Sequence, residues 1–126
     1  MSDAFLLDTN VLVRFLVGDN TTQQSQAQEW FKEAQRGKRT IVVTPIVIAE
    51  TSFVLESYYK QSRDGIASAL EVFVAQKWLD VEDRVALQQL WSDYRRGLHF
   101  VDSYLLARAH RSGSPLLTFD RQLGKR

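Results

Sequence analysis

Cysteine is absent from this 126-residue sequence, which excludes disulfides, thiolate catalysis and cysteine-ligated zinc. No apolar run approaches the roughly 20 residues that a membrane-spanning helix requires. The charges nearly cancel, with 16 Lys and Arg against 15 Asp and Glu, so net charge alone does not indicate a nucleic-acid-binding protein. We therefore expect a soluble, cytoplasmic protein that forms one domain over residues 1–126.

The positively charged residues are unequal in type, because 11 of the 16 are arginine. The planar guanidinium group suits phosphate oxygens better than an ammonium group does. Any single arginine is still most simply explained as a solvated residue on a helix face. The candidates for phosphate contacts are Arg14, Arg95, Arg96 and Arg108.

Four short apolar or β-branched runs predict strands, at residues 5–7, 40–43, 78–81 and 115–119. Pairs of amphipathic helices separate these runs, and that order predicts a parallel β-sheet flanked by α-helices, an α/β/α sandwich. The first strand is wholly apolar, so we expect it at the centre of the sheet with both faces covered. Asp80 interrupts the third strand and favours an edge position for it.

Residue types at the predicted helix ends fit their positions. Thr21 and Gln24 match a capping box, and Thr44 precedes a proline at the first position of a helix. Asp83 is a candidate cap for a helix that extends to Arg95.

Two aspartates directly follow predicted strands, Asp8 after the first and Asp120 after the last. Ligands of open α/β sheets bind at the carboxyl ends of the strands, so both carboxylates are expected in that crevice. Asp102 begins the core-facing stripe of a helix. Each aspartate has an ordinary alternative, a helix cap for Asp102 and a turn residue for Asp120.

Glu50 differs from the other acidic residues because its helical neighbours are all apolar. They are Ile46, Val47, Phe53 and Val54. This pattern predicts a carboxylate directed into the apolar face, where it needs a cation or a proton. The alternative is a structural glutamate paired with an arginine.

Asp8, Glu50, Asp102 and Asp120 can all reach one crevice of a parallel sheet, and a divalent cation would relieve their repulsion. Oxygen ligands without cysteine or a histidine pair favour Mg²⁺ or Mn²⁺ over Zn²⁺. Such a site suggests phosphodiester hydrolysis, with the ion activating water. His99 is a weak candidate for a general base.

Four short stretches together resemble the PIN-domain ribonucleases, and most of all the VapC toxins of type II toxin–antitoxin pairs. Their order and spacing across nearly the whole chain carry the resemblance. The stretches are residues 7–12 (LDTNVL), Ala49-Glu50, residues 100–107 (FVDSYLLA) and residues 118–123 (TFDRQL).

This resemblance implies that Asp8, Glu50, Asp102 and Asp120 are catalytic and bind Mg²⁺ or Mn²⁺. It further implies RNA as substrate, a homodimer, and a small VapB-like antitoxin whose tail occupies the active-site groove. The implied supporting or substrate-contacting residues are Thr9, Asn10, Ser103 and Thr118. The chain departs from the family at His99, where many relatives carry another aspartate.

Two alternatives remain open from the sequence. A receiver-like regulatory domain also gathers strand-end aspartates around Mg²⁺, but it normally has adjacent acids after the first strand, where this chain has Asp8-Thr9. A non-catalytic PIN-like binding module would share the fold without its chemistry.

Overall fold

The computed structural model describes residues 3–124 and contains one three-stranded parallel sheet in the order β1-β2-β3. The strands are β1 (Asp3–Leu6), β2 (Arg39–Val43) and β3 (Asp80–Val81). In the register of the sheet, Phe5 lies opposite Ile41 and Val43 lies opposite Val81. The predicted α/β class with a parallel sheet is confirmed, and so is the edge position of the third strand.

Eight helices occur in the described part of the chain and connect or follow these strands. They are α1 (Thr9–Leu16), α2 (Thr21–Gln35), α3 (Pro45–Ser57), α4 (Arg63–Val74), α5 (Arg84–Gln89), α6 (Trp91–Arg95), α7 (Phe100–Ser112) and α8 (Arg121–Gly124). Within residues 3–124, none of these helices has the length and apolar character needed to cross a bilayer.

The hydrophobic core forms around β2, whose β-branched residues favour extended backbone. Ile41 and Val43 of this strand are buried, and the surrounding helices contribute leucine, isoleucine and aromatic side chains. Trp91 packs edge-on against Tyr94 and Phe100, with ring centroids 5.5 and 5.7 Å away. Removing this large apolar area from water is the main contribution to stability.

The predicted central position of β1 is wrong, because β1 lies at an edge of the sheet and its residues are exposed. Leu6 has 75% of its surface accessible. The predicted fourth strand, residues 115–119, has no strand structure, and its Leu117 is 99% exposed. With no fourth strand, one side of β1 has no partner strand in the described residues, and apolar composition alone could not reveal this.

Several helix ends also differ from the predictions. Asn20 caps α2, with its Oδ1 accepting from the Gln23 amide at 3.0 Å, so the first helical residue is Thr21. The single helix predicted from Asp83 to Arg95 is divided at Leu90 into α5 and α6. Thr44 and Pro45 do begin α3 as expected, although the Thr44 side chain makes no capping bond.

Candidate active site

Asp8 lies at the carboxyl end of β1, where the chain turns into α1. It occupies the N-cap position with extended backbone angles, but its side chain makes no capping hydrogen bond. The carboxylate is exposed and has no ion-pair partner among residues 3–124. Asp8 therefore does not perform the helix-capping role that is usual for an aspartate at this position, and its carboxylate oxygens are available to a ligand.

Asp8 and Glu50 line the same pocket, which has a volume of about 280 Å³. Thr9, Asn10 and Val54 complete much of its wall, so the pocket lies between the beginning of α1 and the middle of α3. Absence of a partner does not by itself distinguish these acids, since other exposed carboxylates of the described chain also have none. The shared pocket does distinguish them.

The expectation that Glu50 is directed into a buried apolar face is wrong, because Glu50 is exposed. Its neighbours Ile46 and Phe53 are themselves 79% and 64% exposed. The buried side of α3 consists of Ile48, Thr51, Ser52 and Leu55. Because α3 is apolar on nearly every side, its sequence does not reveal which side faces the core.

A second cavity of about 450 Å³ separates α3 from the beginning of α7, and Glu50 lines this one too. His99 and Val101 lie on the opposite wall. Asp102 is the next residue, half-buried in the first turn of α7, where the helix dipole favours a negative charge. It is not the N-cap, because the His99 side chain accepts the Val101 amide at 3.4 Å in that role.

Asp120 lies in the exposed C-terminal segment, where it caps α8. Its Oδ1 accepts hydrogen bonds from the amides of Gln122 and Leu123 at 2.9 and 3.2 Å. The Thr118 hydroxyl accepts the amide of Asp120 at 3.0 Å. In this conformation Asp120 has the turn and capping role that was its ordinary alternative.

Thr9, Asn10 and Ser103, three of the implied supporting or substrate-contacting residues, lie in two environments. Thr9 and Asn10 begin α1 and face the pocket shared by Asp8 and Glu50. Ser103 is fully buried, and its hydroxyl donates to the carbonyl oxygen of His99 at 3.0 Å. Ser103 therefore supports the beginning of α7 from within and has no surface through which to contact a substrate.

Within the described residues, no group of three or more His, Asp or Glu side chains is arranged to hold a metal ion. The structure brings Asp8 and Glu50 to one pocket, and it does not bring Asp102 and Asp120 into that pair. Two carboxylates still match the usual protein contribution to Mg²⁺, which keeps several waters and takes further oxygens from phosphate groups.

The model of the PIN domain family matches residues 5–126. The chain belongs to this family. A protein named VapC ribonuclease from Aquifex aeolicus (strain VF5) is 27% identical over 122 residues, which are 95% of this chain and 90% of the relative. No solved structure matches the chain. Family membership leaves no place for the receiver-like alternative.

In this PIN domain all four candidate phosphate-binding arginines form ion pairs. Arg95 contacts Asp64 and Glu71, and Arg96 contacts Asp93. Arg108 lies 3.2 Å from Asp83 and Arg14 lies 3.1 Å from Asp19. Of the four, Arg14 lines a pocket together with Asp8.

The sequence did not reveal that Trp30 lies beside Asp8. The helical pattern places it in the apolar stripe of α2 with Ala27, Phe31 and Ala34, and those three are buried. Trp30 is half-buried and lines two pockets, both of which include Asp8. Its position at the edge of the apolar stripe could have indicated this, because residues at that edge of an amphipathic helix lie next to the protein surface.

Proposed function

We propose that this protein is a metal-dependent endoribonuclease and the toxin of a toxin–antitoxin pair. The observation that carries the proposal is the unpaired Asp8 carboxylate at the carboxyl end of β1, in a pocket that it shares with Glu50. Membership of the PIN domain family and the similarity to a protein named VapC ribonuclease support it.

Asp8 and Glu50 would hold Mg²⁺ or Mn²⁺. The proposed acidic set also includes Asp102 and Asp120, which do not line the pocket that Asp8 and Glu50 share. Hard oxygen ligands without cysteine fit these ions better than Zn²⁺. A bound ion would activate water and neutralise charge on the phosphodiester.

The beginning of α1 supplies a second feature suited to RNA. Because the Asp8 side chain does not cap the helix, the first two backbone amides, those of Thr9 and Asn10, have no capping partner among residues 3–124. Free amides at a helix N-terminus bind phosphate oxygens, and the helix dipole favours the negative charge. The Asn10 side chain adds a further donor and acceptor beside them.

The proposed partners are an RNA substrate, a VapB-like antitoxin and a second copy of the chain, in the cytoplasm. A cavity of about 300 Å³ next to β1, lined in part by Phe5, Leu6 and Ile41, would accept an apolar antitoxin segment. The exposed apolar side chains of α3 would face the second copy. The alternative function, a non-catalytic PIN-like module, has the same surface but cleaves nothing.

The decisive experiment is cleavage of a structured RNA by antitoxin-free protein with Mn²⁺, beside identically purified Asp8→Asn and Asp3→Asn variants. Asp3 is the matched control, an exposed strand residue at the other end of β1. We expect the cleavage rate of Asp8→Asn to fall about 100-fold or more. The variant loses a carboxylate that would hold the metal ion, and the ion would stabilise the negative charge on the phosphodiester. Asp3→Asn should cleave normally.

Equal cleavage by all three preparations would indicate a contaminating nuclease and leave the proposed site without support. A thermal melt provides an assay that needs no substrate. Mn²⁺ should raise the melting temperature of the protein by ligand linkage, and this rise should vanish in Asp8→Asn while remaining in Asp3→Asn. A rise that persists in Asp8→Asn would place the ion elsewhere.

A further inference from the structure

The pocket between α1 and α2 is distinct from the one that Asp8 shares with Glu50. It has a volume of about 250 Å³ and opens on the other side of Asp8. Its wall combines one carboxylate, one guanidinium, three amides and one indole, contributed by Asp8, Arg14, Asn10, Gln23, Gln26 and Trp30. An aromatic ring combined with a few hydrogen-bonding groups is typical of ligand pockets.

Arg14 is held in one orientation at this pocket. Its Nε donates to Gln23 Oε1 at 2.9 Å, and its Nη1 donates to Asp19 Oδ1 at 3.1 Å and to the Tyr59 hydroxyl at 3.3 Å. The Tyr59 hydroxyl donates to Asp19 at 2.8 Å and thereby lowers the pKa of that carboxyl, which stays ionised beside Arg14. The remaining amino group, Nη2, has no protein partner in the described chain.

Two amides of the wall and its indole are also available to a ligand. The side chains of Asn10 and Gln26 are exposed and make no hydrogen bond with any described residue. Trp30 is half-buried, so one part of its indole packs on the protein and another part borders the pocket. Carboxamides pair with base edges, and an indole face stacks with any base.

We propose that the α1–α2 pocket is a subsite for one nucleotide of single-stranded RNA, adjacent to the phosphodiester that the Asp8 site would cleave. The base stacks on Trp30, the amides of Asn10 and Gln26 contact its edge, and Arg14 Nη2 contacts the flanking phosphate. This proposal rests on the proposed function and adds to it the part of the substrate that one pocket recognises.

The lining favours a nucleotide over a protein segment. A peptide bound in an apolar groove needs few hydrogen-bonding partners beyond its backbone, whereas this wall offers amides, a guanidinium and an aromatic face together. The more apolar cavity beside Phe5 and Leu6 is the better fit for a peptide. Binding of a protein segment in the α1–α2 pocket is the competing outcome of the test.

The test measures binding without cleavage. Asp8→Asn protein in EDTA is titrated into a fluorescein-labelled, single-stranded oligoadenylate, and its affinity is compared after adding Trp30→Ala, Trp30→Phe or Trp78→Phe. We expect Trp30→Ala to weaken binding about 5-fold or more, because stacking on an aromatic ring contributes roughly 1–3 kcal/mol per base. Trp30→Phe should retain most of the affinity, and Trp78→Phe, the control for loss of another half-buried indole, all of it.

An oligomer with the same backbone but abasic sugars separates stacking from phosphate contacts, and it should bind equally to the proteins with and without the Trp30→Ala substitution. Undiminished oligoadenylate binding by a folded Trp30→Ala variant would overturn the proposed subsite and favour the competing interpretation, in which the pocket binds a protein segment. The proposed function would survive that result if wild-type protein still cleaves RNA in an Asp8-dependent manner. Failure of every variant to bind RNA, together with absent cleavage, would overturn both.

Discussion

Tyr94 is fully buried, yet its hydroxyl has no hydrogen-bond partner in the described part of the chain. Its ring packs edge-on against Trp91 and Phe100, and the Arg63 guanidinium carbon lies 4.5 Å from the ring centroid. Burial raises the pKa of the hydroxyl above its ordinary value of 10.0. The ring therefore stabilises the core, while the hydroxyl is a cost.

We expect Tyr94→Phe to raise the free energy of unfolding by about 1 kcal/mol at neutral pH, because it keeps the ring and removes an unsatisfied polar group. The unfolded chain ionises Tyr94 at a lower pH than the folded protein does, so wild-type stability falls further above about pH 10. Urea denaturation of both proteins at neutral and alkaline pH should show a gap that widens with pH. A loss of stability at neutral pH would mean that the hydroxyl has a partner in solution.

At the scale of elements, the apolar residues of the C-terminal segment differ in exposure. Leu117 and Phe119 are fully exposed in residues 115–119, while Leu123 in α8 is only 5% exposed. Leu123 and Leu106 of α7 line one pocket. The chain after α7 is therefore attached through α8 and not through an added strand.

This attachment predicts that substitutions in residues 115–119 and in α8 change stability by different amounts. Leu117→Ser and Phe119→Ser should change the free energy of unfolding by less than about 0.5 kcal/mol, the range for surface positions. Leu123→Ala should destabilise by about 2 kcal/mol through loss of buried apolar contacts. Chemical denaturation of the three variants measures this. If Leu117→Ser costs as much as Leu123→Ala, residues 115–119 pack as a fourth strand in solution.

At the scale of the whole molecule, α3 and α7 expose an apolar surface that a single copy leaves in water. It includes Ile46, Phe53 and Val101, at 79%, 64% and 46% exposure. All three line the cavity that also contains Glu50. Clustered exposed apolar side chains are typical of association surfaces, so this is the surface that we assign to the proposed homodimer.

Phe53→Asp should therefore shift the protein from dimer to monomer, because it puts a charge into the apolar contact. Val72→Asp is the matched control, since Val72 on α4 is 63% exposed and lies outside this surface. Sedimentation velocity over a range of protein concentrations compares the two variants with wild type. Equal dimerisation of wild type and Phe53→Asp would assign the contact elsewhere, and a wild-type monomer would refute the dimer.

Prediction succeeded where the signal is local. Asp8 does follow a strand and precede a helix, and Thr44-Pro45 does begin α3. The position of β1 in the sheet could not be predicted from the sequence, because a short apolar run can form either a central strand or an edge strand. The exposure of Glu50 was missed for a similar reason, since apolar neighbours on every side of α3 leave its buried face undetermined.

The sequence by itself determined the family and the parallel α/β arrangement and indicated four acidic residues as candidates, because strand and helix periodicities and short motifs depend on neighbours along the chain. Only the tertiary structure decided that Asp8 shares a pocket with Glu50 and that Trp30 borders Asp8. Those facts depend on how distant elements pack. Packing is set by the summed burial of many side chains, and no local pattern carries that sum.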